Sequence, residues 1–303
     1  MSFDPPEFRQ PDDHRPALRF APSPNGRLHL GHALSALTNE AMAERLGAAL
    51  LLRIEDIDLA RCRPELAAGI MADLEWLGIR FDGAVRRQSE HFGDYRQALA
   101  QLQAKGLVYH CFCSRQEIRQ DAVAWEAETG KPWPTDPDGA PLYPGRCSAM
   151  GIPEAEQRIA AGEPHVLRLD MAAALALAGA DLHYPLFDAA GLESIARVDP
   201  ARWGDVVLAR KDTPTSYHLS VVVDDALQGI SHVVRGLDLA AATDIHVLLQ
   251  HLLGLPTPRY HFHRLLLDDA GLKLAKSRDS ISLAALRDAG ETREAIRRRL
   301  GFA

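Results

Sequence analysis

Apolar positions along the first part of the chain follow two periods in turn, which predicts strands alternating with helices. Short apolar runs predict strands at Leu18–Ala21 and Ala49–Ile54, and the second run is apolar almost throughout, as in a strand buried on both faces. Apolar or small side chains recur at helical spacing over Gly31–Leu46 and again from Pro64 to Gly78. This order predicts the α/β fold class with a parallel, doubly wound sheet.

The same order continues along the chain. Tyr95, Leu99 and Leu102 indicate a third helix that ends at Gly106, and a strand is predicted over Val108–Phe112. Ligands of a parallel sheet bind beyond the carboxyl ends of its strands. We therefore expect the polar residues that follow the first two strands to face one crevice.

The pattern breaks after Cys113. The stretch KPWPTDPDGAPLYPG, within residues 114–146, holds too many breakers for a core element. Short strands and an alanine-rich helix follow, and we interpret residues 111–212 as an inserted subdomain. These elements are predicted at Val166–Leu169, Val206–Ala209 and Ala172–Ala178.

A second parallel half is predicted over residues 213–255. The apolar run SYHLSVVVDD, which contains Tyr217, is predicted as one strand, and ISHVVRGLDL as another that ends near Arg235. A helix is predicted over Leu239–Leu253. In residues 256–303 two short helices are predicted, with Ser282 and Thr292 as N-caps and Gly290 and Gly301 as terminators.

Composition adds limits on location. The chain has 303 residues, of which 47% are hydrophobic, and no apolar run reaches the length of a transmembrane helix. Residues 1–17 are rich in proline and charge and lack the apolar middle of a signal peptide. We expect a disordered N-terminal tail and a cytoplasmic protein that is a monomer and has no membrane partner.

The formal net charge of −7 excludes a protein that coats nucleic acid with its whole surface. Any RNA contact must be local, and a basic patch near the C-terminus is the candidate. A solvated helix face is the alternative for the same residues. The patch comprises Lys273, Lys276, Arg278, Arg293, Arg297, Arg298 and Arg299.

One stretch near the N-terminus is typical of a phosphate-binding turn. RFAPSPNGRLHLGH, from Arg19 to His32, places a loop with proline and glycine between a predicted strand and a predicted helix. The helix N-terminus presents free backbone N–H groups, and His29 and His32 would stand beside it, which suits an anion such as phosphate. An ordinary strand-to-helix turn with two surface histidines is the alternative.

Three of the four cysteines are grouped. Cys111 and Cys113 lie two residues apart on an extended segment and so point to one side, and Cys147 follows after a loop. In a cytosolic protein this favours zinc over a disulfide, with three unrelated buried cysteines as the alternative. Three thiols leave one tetrahedral position open, and His110 is the ordinary candidate for it.

Three segments also carry a resemblance to a known family. APSPNGRLHLGH resembles the HIGH-type segment of class I aminoacyl-tRNA synthetases, in the form used by the glutamyl branch. RIEDID, at Arg53 to Asp58, resembles the same branch, and GLKLAKS, at Gly271 to Ser277, resembles its KMSKS loop. The resemblance covers residues 18 to about 300. It implies a Rossmann-like catalytic domain in two halves, a zinc-containing insertion of the acceptor-binding type, and a KMSKS-type loop followed by short helices. These would span residues 18–110, 213–255, 111–212 and 256–303.

The resemblance implies ATP-dependent activation of L-glutamate. His29, His32 and Lys276 would act at the phosphates of ATP, Lys273 would lie close to them, and Mg²⁺ would bridge them. Ala275 stands where the branch commonly has serine, which removes one hydroxyl donor from that loop.

The same resemblance implies an amino-acid pocket. Arg19 would pair with the side-chain carboxylate, Glu55 would hold the α-ammonium, and Tyr217 and Arg235 would hold the α-carboxylate. From the residues alone, Tyr217 could equally be a core tyrosine and Arg235 a surface arginine. The wall of the pocket is expected to comprise Arg19, Phe20, Ala21, Pro22 and Ser23.

Relatives in this branch hold zinc with C-x-C followed by Y-x-x-x-C. The resemblance therefore implies one structural Zn²⁺ ion per chain, with Cys111, Cys113, Cys147 and, as an unusual fourth ligand, Tyr143.

The acceptor of the glutamate is implied by a likeness to a truncated paralogue of the branch. The chain after Lys276 has room for two short helices but not for the anticodon-reading domain of a conventional glutamyl-tRNA synthetase. The expectation is that the anticodon loop enters the active site and that queuosine in tRNA(Asp) receives the glutamate. The alternatives are a conventional synthetase whose anticodon-binding part is missing or encoded elsewhere, and a non-catalytic amino-acid or RNA-binding module.

Overall fold

The computed structural model describes residues 15–179, 181–188, 190–266 and 281–302. The strands of this part of the chain are β1 (Ala17–Phe20), β2 (Ala49–Ile54), β3 (Arg86–Arg87), β4 (Val108–Cys111), β5 (Val166–Leu169), β6 (His183–Phe187), β7 (Glu193–Arg197), β8 (Val207–Arg210), β9 (His232–Gly236) and β10 (Arg259–His263). The helices are α1 (Leu30–Leu46), α2 (Pro64–Trp76), α3 (Phe92–Ala104), α4 (Arg115–Thr129), α5 (Ile152–Ala160), α6 (Met171–Ala178), α7 (Tyr217–Leu227), α8 (Thr243–Leu253), α9 (Leu283–Asp288) and α10 (Arg293–Leu300). No helix of these ranges is long and apolar enough to cross a bilayer.

Parallel strands form the centre of the fold, as predicted. β1, β2 and β3 pair in parallel, and so do β9, β10 and β6, with β7 antiparallel at the outer edge. β1 lies against β9, where the N–H of Ser231 donates to the carbonyl of Ala17 at 3.0 Å. Taken together, the two groups of strands lie in the order β3, β2, β1, β9, β10. The chain order therefore reverses between β1 and β9, which is where doubly wound folds bind ligands.

Alternation along β1 and β2 places two arginines on the face opposite the core of α1 and α2. Leu18 and Phe20 of β1 pack into the same core as α1 and α2. Arg19 points to the other face, as does Arg53 of β2, because successive side chains of a strand lie on opposite sides. Both arginines are buried, so residues packed against this face must supply partners for their charges.

The run that contains Tyr217 is a helix, and the prediction of a strand there was wrong. The hydroxyl of Ser216 caps α7 by accepting the N–H of Leu219. α7 packs between α3 and α8, and every residue from Leu219 to Ala226 is buried, so this part of the sequence resembles a buried strand. A short apolar run of this kind does not distinguish a buried helix from a buried strand.

Two further expectations are corrected in the inserted region. β4 does not join the parallel sheet but pairs antiparallel with β5, which pairs antiparallel with β8. The breaker-rich stretch is preceded by α4, which a capping box of Ser114 and Glu117 begins and Gly130 ends. This helix was missed because most of its side chains face solvent and give no strong apolar pattern.

The N-terminal end of the described chain differs from the prediction, and the helix caps near the C-terminal end agree with it. Arg15, assigned to the tail, donates to the carbonyls of Gly47 and Ala48, both at 2.9 Å, and the rest of the tail up to residue 14 lies outside the described residues. Ser282 and Thr292 cap α9 and α10 as predicted. In the basic patch, Arg297 bonds Glu40 and the carbonyl of Leu77, so this member serves the packing of α10.

Candidate active site

Histidines from the HLGH segment cap helix α1. His29 is the N-cap residue, and its Nδ1 accepts the backbone N–H of Gly31 at 3.0 Å. The Nδ1 atom of His32 accepts the N–H of His29 at 3.1 Å, and the ring centroids lie 3.9 Å apart. Because each Nδ1 accepts, a neutral ring carries its hydrogen on Nε2. The fold of this turn thus sets the orientation and the tautomer of both imidazoles.

Gly31 makes this cap possible. A Cβ atom at this position would lie 2.8 Å from Cε1 and 3.0 Å from Nδ1 of His29. Any larger residue would push the His29 ring away from the N-terminus of α1. The glycine of HLGH is therefore required by the ring that folds over it.

A cavity of about 540 Å³, which we call the inner cavity, opens at the carboxyl ends of β1 and β9. It brings together every described residue that the sequence analysis assigned to ATP or to the amino acid. These residues are Arg19, Phe20, Ala21, Pro22, Ser23, His29, His32, Glu55, Tyr217 and Arg235. The expected Lys273, Ala275 and Lys276 lie outside the described residues.

A buried network of charges forms one wall of the inner cavity. Nε of Arg19 and Nη1 of Arg53 donate to the same oxygen of Asp225, at 3.0 and 2.7 Å. Nη2 of Arg53 donates to Oε1 of Glu55 at 3.1 Å. Burial opposes ionisation, yet Arg19 and Arg53 hold the pKa of the Asp225 carboxyl below its usual value. The pKa of Glu55 is instead raised by burial, which Arg53 only partly offsets.

The network leaves ligand-binding groups available. Of Arg19, only Nε is bonded to another described residue, so its two Nη atoms can face a ligand. Of the Glu55 carboxylate, Oε1 is bonded to Arg53 and Oε2 has no partner in the described ranges. The inner cavity therefore offers one guanidinium fork and one carboxylate oxygen side by side.

Arg235 is buried at the end of β9. Its Nη2 donates to the hydroxyl of Thr243 at 2.7 Å, and its Nη1 donates to Nδ1 of His246 at 3.1 Å. Tyr217 lies in the same cavity at the start of α7, where burial raises its pKa. Thus Arg235 is not a surface arginine, and Tyr217 lines a cavity.

A second cavity, which we call the outer groove, has a volume of about 610 Å³ and adjoins the inner cavity. Ser23, Asn25, Glu55 and Tyr217 border both. On its far side the outer groove is lined by residues of the inserted region. Its basic side chains are Arg61, Arg115, Arg119, Arg168 and Arg210.

The thiols of Cys111, Cys113 and Cys147 converge, and their sulfur atoms all lie within 4.8 Å of one another. The Cys113 and Cys147 sulfurs are 3.7 Å apart, close to the edge of about 3.8 Å in a tetrahedron with 2.3 Å zinc–sulfur bonds. The hydroxyl of Tyr143 lies 3.7 Å from the Cys113 sulfur. His110 faces the other side of β4 against the His165 ring and is not in the cluster. The donor set and spacing fit a zinc ion.

Several residues of the site were not predicted from the sequence. Asp225, Thr243 and His246 were not singled out, although they hold Arg19 and Arg235. One signal was present, because Arg53 interrupts the apolar run ALLLRI and a buried arginine needs a carboxylate. Nothing in the sequence indicated that α7, far along the chain, would supply it.

The comparisons with known proteins agree with this geometry. Residues 17–302 match the family model described as tRNA synthetases class I (E and Q), catalytic domain. The chain belongs to this family. A class I synthetase of this kind is a ligase, which disfavours a non-catalytic binding module.

Two relatives with the same name are similar to this class I synthetase over most of its length. It is 48% identical to a protein of Rhodobacter capsulatus named glutamyl-Q tRNA(Asp) synthetase, over 94% of this chain and 99% of that protein. A protein of the same name from Symbiobacterium thermophilum is 40% identical over 92% of this chain and 83% of that one.

A solved structure supports the fold of the class I synthetase. A glutamate tRNA ligase from Elizabethkingia meningosepticum, in complex with its amino acid, superposes with a TM-score of 0.69 at 28% identity. The match covers 87% of this chain and 52% of that one, so the chain spans about half the length of that ligase.

Proposed function

We propose that this class I synthetase activates L-glutamate with ATP and transfers it to queuosine in the anticodon of tRNA(Asp). The charges of the inner cavity carry the first half of the proposal. In its interior, Arg19 and Arg235 supply two positive charges and Glu55 one negative charge, which matches an amino acid with two carboxylates and one ammonium. The two other charged residues of its lining, Asp238 and Arg264, are exposed and opposite in charge. Glutamine, which lacks the second carboxylate, would offer the Nη donors of Arg19 a neutral amide oxygen and lose the charge-assisted pair.

Each of these groups then has one role in glutamate binding. The free fork of Arg19 pairs with the side-chain carboxylate, and the wall from Phe20 to Ser23 encloses the carbon chain. Glu55 receives the α-ammonium, whose positive charge also compensates the burial of that carboxylate. Tyr217 and Arg235 hold the α-carboxylate, with an oxygen directed at ATP.

ATP binds where α1 begins. The N-terminus of α1 and the imidazoles of His29 and His32 stabilise charge on the phosphates as a carboxylate oxygen attacks the α-phosphorus and pyrophosphate leaves. Lys273 and Lys276, outside the described residues, are assigned to the same phosphates. Mg²⁺ retains much of its water and binds through substrate phosphates, so the residues here need not form a cage for it.

One zinc ion serves structure in the inserted region. The proposed ligands are Cys111, Cys113, Cys147 and Tyr143, supported by the convergence of the three thiols beside the tyrosine hydroxyl. Such a site ties β4 to the loop that carries Cys147 and stabilises the far wall of the outer groove.

The names of the relatives support the identity of the acceptor. The Rhodobacter and Symbiobacterium proteins are named for glutamyl-queuosine formation on tRNA(Asp), and this chain is similar to the first over nearly its whole length. The outer groove offers a path by which an unpaired anticodon base could reach the inner cavity. A cis-diol on that base would imitate the terminal ribose that accepts an aminoacyl group.

Pyrophosphate exchange with each amino acid, with and without tRNA, tests the first half. Of the amino acids, we expect only glutamate to support exchange, and we expect no need for tRNA. Exchange with another amino acid would contradict the assignment of the pocket, and a strict need for tRNA would favour a conventional glutamyl-tRNA synthetase.

Charging with labelled glutamate tests the second half. We expect label on tRNA(Asp) that contains queuosine and none on tRNA(Glu), with queuosine-free tRNA(Asp) as the matched control. Equal charging of that control, or label at the 3′ end of tRNA(Glu), would overturn the acceptor while leaving glutamate activation intact.

A further inference from the structure

A row of three side chains crosses the fold from the inner cavity to the outer groove. Nη1 of Arg235, on β9, lies 3.1 Å from Nδ1 of His246, on α8. Nε2 of His246 lies 3.2 Å from Nδ1 of His218, on α7. Arg235 lines the inner cavity and His218 lines the outer groove, while His246 is buried between them.

Elementary chemistry gives this row one direction. A guanidinium only donates hydrogen bonds, so Nδ1 of His246 must accept. The neutral His246 ring then carries its hydrogen on Nε2 and donates to Nδ1 of His218. Because Nδ1 of His218 accepts this hydrogen bond, the hydrogen of the neutral His218 ring lies on Nε2. The reverse direction would require a His246 ring with no hydrogen on either nitrogen.

Arg235 depends on its partner in this row. Its Nε is buried and has no hydrogen-bond partner in the described ranges. Its Nη atoms are held by His246 and by Thr243, which together define the plane of the guanidinium. Loss of the His246 acceptor would leave a second buried donor unsatisfied, and the group would turn to find another partner.

The far end of the row is open to the outer groove. His218 is only partly buried, and its ring packs near those of Trp203 and Tyr217, with centroid distances of 5.7 and 5.5 Å. Its Nδ1 is occupied by His246. The ring therefore presents an N–H donor to the outer groove.

We infer that His246 is a positioning residue that holds Arg235 in the plane needed for the α-carboxylate and gives His218 the tautomer that donates into the outer groove. The part that concerns Arg235 rests on the proposed binding of glutamate. The tautomers of the two rings do not depend on it.

The tautomers can be measured on the free protein. In ¹⁵N-histidine-labelled enzyme, long-range ¹H–¹⁵N spectra near neutral pH should give His246 a bare Nδ1 and a protonated Nε2, and His218 the same pattern. The two rings are assigned from the loss of one set of signals in His218→Phe and of another in His246→Leu. A protonated Nδ1 in His246, or two protonated nitrogens in either ring, would overturn the inference without reference to activity.

Kinetics of glutamate-dependent pyrophosphate exchange test the effect on Arg235. In His246→Leu the KM for glutamate should rise by roughly tenfold, as for one buried donor left unsatisfied, while the KM for ATP stays unchanged. In His246→Gln the side-chain amide can accept from Arg235 and donate to His218, so most of the loss should be restored. His251→Leu, on the exposed side of the same helix, is the matched control and should behave as wild type.

The results distinguish a failure of the positioning role of His246 from a failure of the proposed function. An unchanged glutamate KM in His246→Leu, equal increases for glutamate and ATP, or a Gln variant no better than Leu would each refute the positioning role. Absence of glutamate-dependent exchange in the wild-type enzyme would refute the proposed function, and the NMR result would still decide the tautomers.

Discussion

Arg19 divides its nitrogen atoms between the fold and a ligand. Its Nε is engaged with Asp225, which orients the side chain, while the Nη atoms face the inner cavity. A planar group with five donors can do both at once, whereas an ammonium is a single point charge. The role of Arg19 was implied by the resemblance, but its orienting partner lies 206 residues away and was not anticipated.

Arg19→Lys should therefore retain the charge and lose the geometry. Lysine cannot both bond Asp225 and grip a carboxylate with two donors, so we expect the KM for glutamate in pyrophosphate exchange to rise by roughly 10- to 100-fold. Arg45→Lys, at the exposed end of α1, is the control and should leave the KM unchanged. A wild-type KM in Arg19→Lys would remove Arg19 from the amino-acid pocket.

The N-terminus of α1 shows how an element serves the site. Its strand–loop–helix arrangement was predicted from the prolines, Asn25-Gly26 and the period of the helix, and the structure confirms it. The capping by two imidazoles was not predicted, because histidine is not among the residues usually found at an N-cap. That capping explains why position 31 is glycine, since the His29 ring lies directly over it.

Gly31→Ala tests the cap. Alanine normally stabilises a helix by up to about 1 kcal/mol relative to glycine, so stability alone should not fall much. The new Cβ would displace the His29 ring, and we expect the exchange rate to fall by roughly 10²-fold, as for one lost electrostatic group.

Gly69→Ala supplies the matched control for this change. Gly69 lies in α2, where an added Cβ would meet no neighbouring atom within 4 Å, so this variant should be as stable as wild type or more so, with full activity. Full activity in Gly31→Ala would mean that the His29 ring position is not important for catalysis.

α7 illustrates the limit of sequence patterns for elements. The run contains the two aspartates that hold Arg53, and because it is buried continuously it could not be told from a buried strand. The N-cap Ser216 was the one local signal, and a single serine before an apolar run is weak evidence.

The packing of α7 against α8 should make stability depend on pH. Burial first, and then the positive charge of Arg235, lowers the pKa of His218 to about 4 and the pKa of His246 well below its usual value. Arg19 and Arg53 on the neighbouring strands act in the same direction on His246. In the unfolded chain both rings would take up protons near pH 6.5.

The unfolded state thus binds more protons than the folded state below about pH 6.5. We expect the free energy of unfolding to be fully retained above that pH and to decrease as the pH falls towards 4, with His218 contributing up to about 3 kcal/mol. Urea titrations from pH 7 to pH 5 should show a smaller decrease in His218→Phe than in wild type or in His183→Phe. Equal slopes in all three would contradict a neutral His218 in the folded protein.

At the scale of the molecule, a parallel sheet was predictable because β1, β2 and their helices are local patterns, whereas β3, β6, β7 and β10 were not predicted. The strand order 3-2-1-9-10 was not predictable, since it depends on β9 and β10 returning beside β1 after a long insertion. The convergence of Cys111, Cys113 and Cys147 was anticipated from spacing, while the place of Tyr143 came from the resemblance alone.

Zinc should stabilise the inserted region without supporting the parallel core. Elemental analysis should find one zinc ion per chain, and Cys147→Ser should release it and loosen the sheet of β4, β5 and β8. Cys62→Ser, outside the cluster, should retain the metal. Metal-free wild-type protein of normal thermal stability would exclude a structural zinc site, and retention of zinc in Tyr143→Phe would exclude that ligand.

The wall of Ser23, Asn25, Glu55 and Tyr217 borders both cavities, and it bears on the stoichiometry of the reaction. An acyl-adenylate held in the inner cavity can be captured by a nucleoside hydroxyl or hydrolysed by water. An acceptor seated in the outer groove occupies the space from which water would approach across that wall. The number of AMP molecules released per RNA charged should then fall towards one as the acceptor saturates, and changes to this wall should appear as wasted ATP before they appear as slower charging.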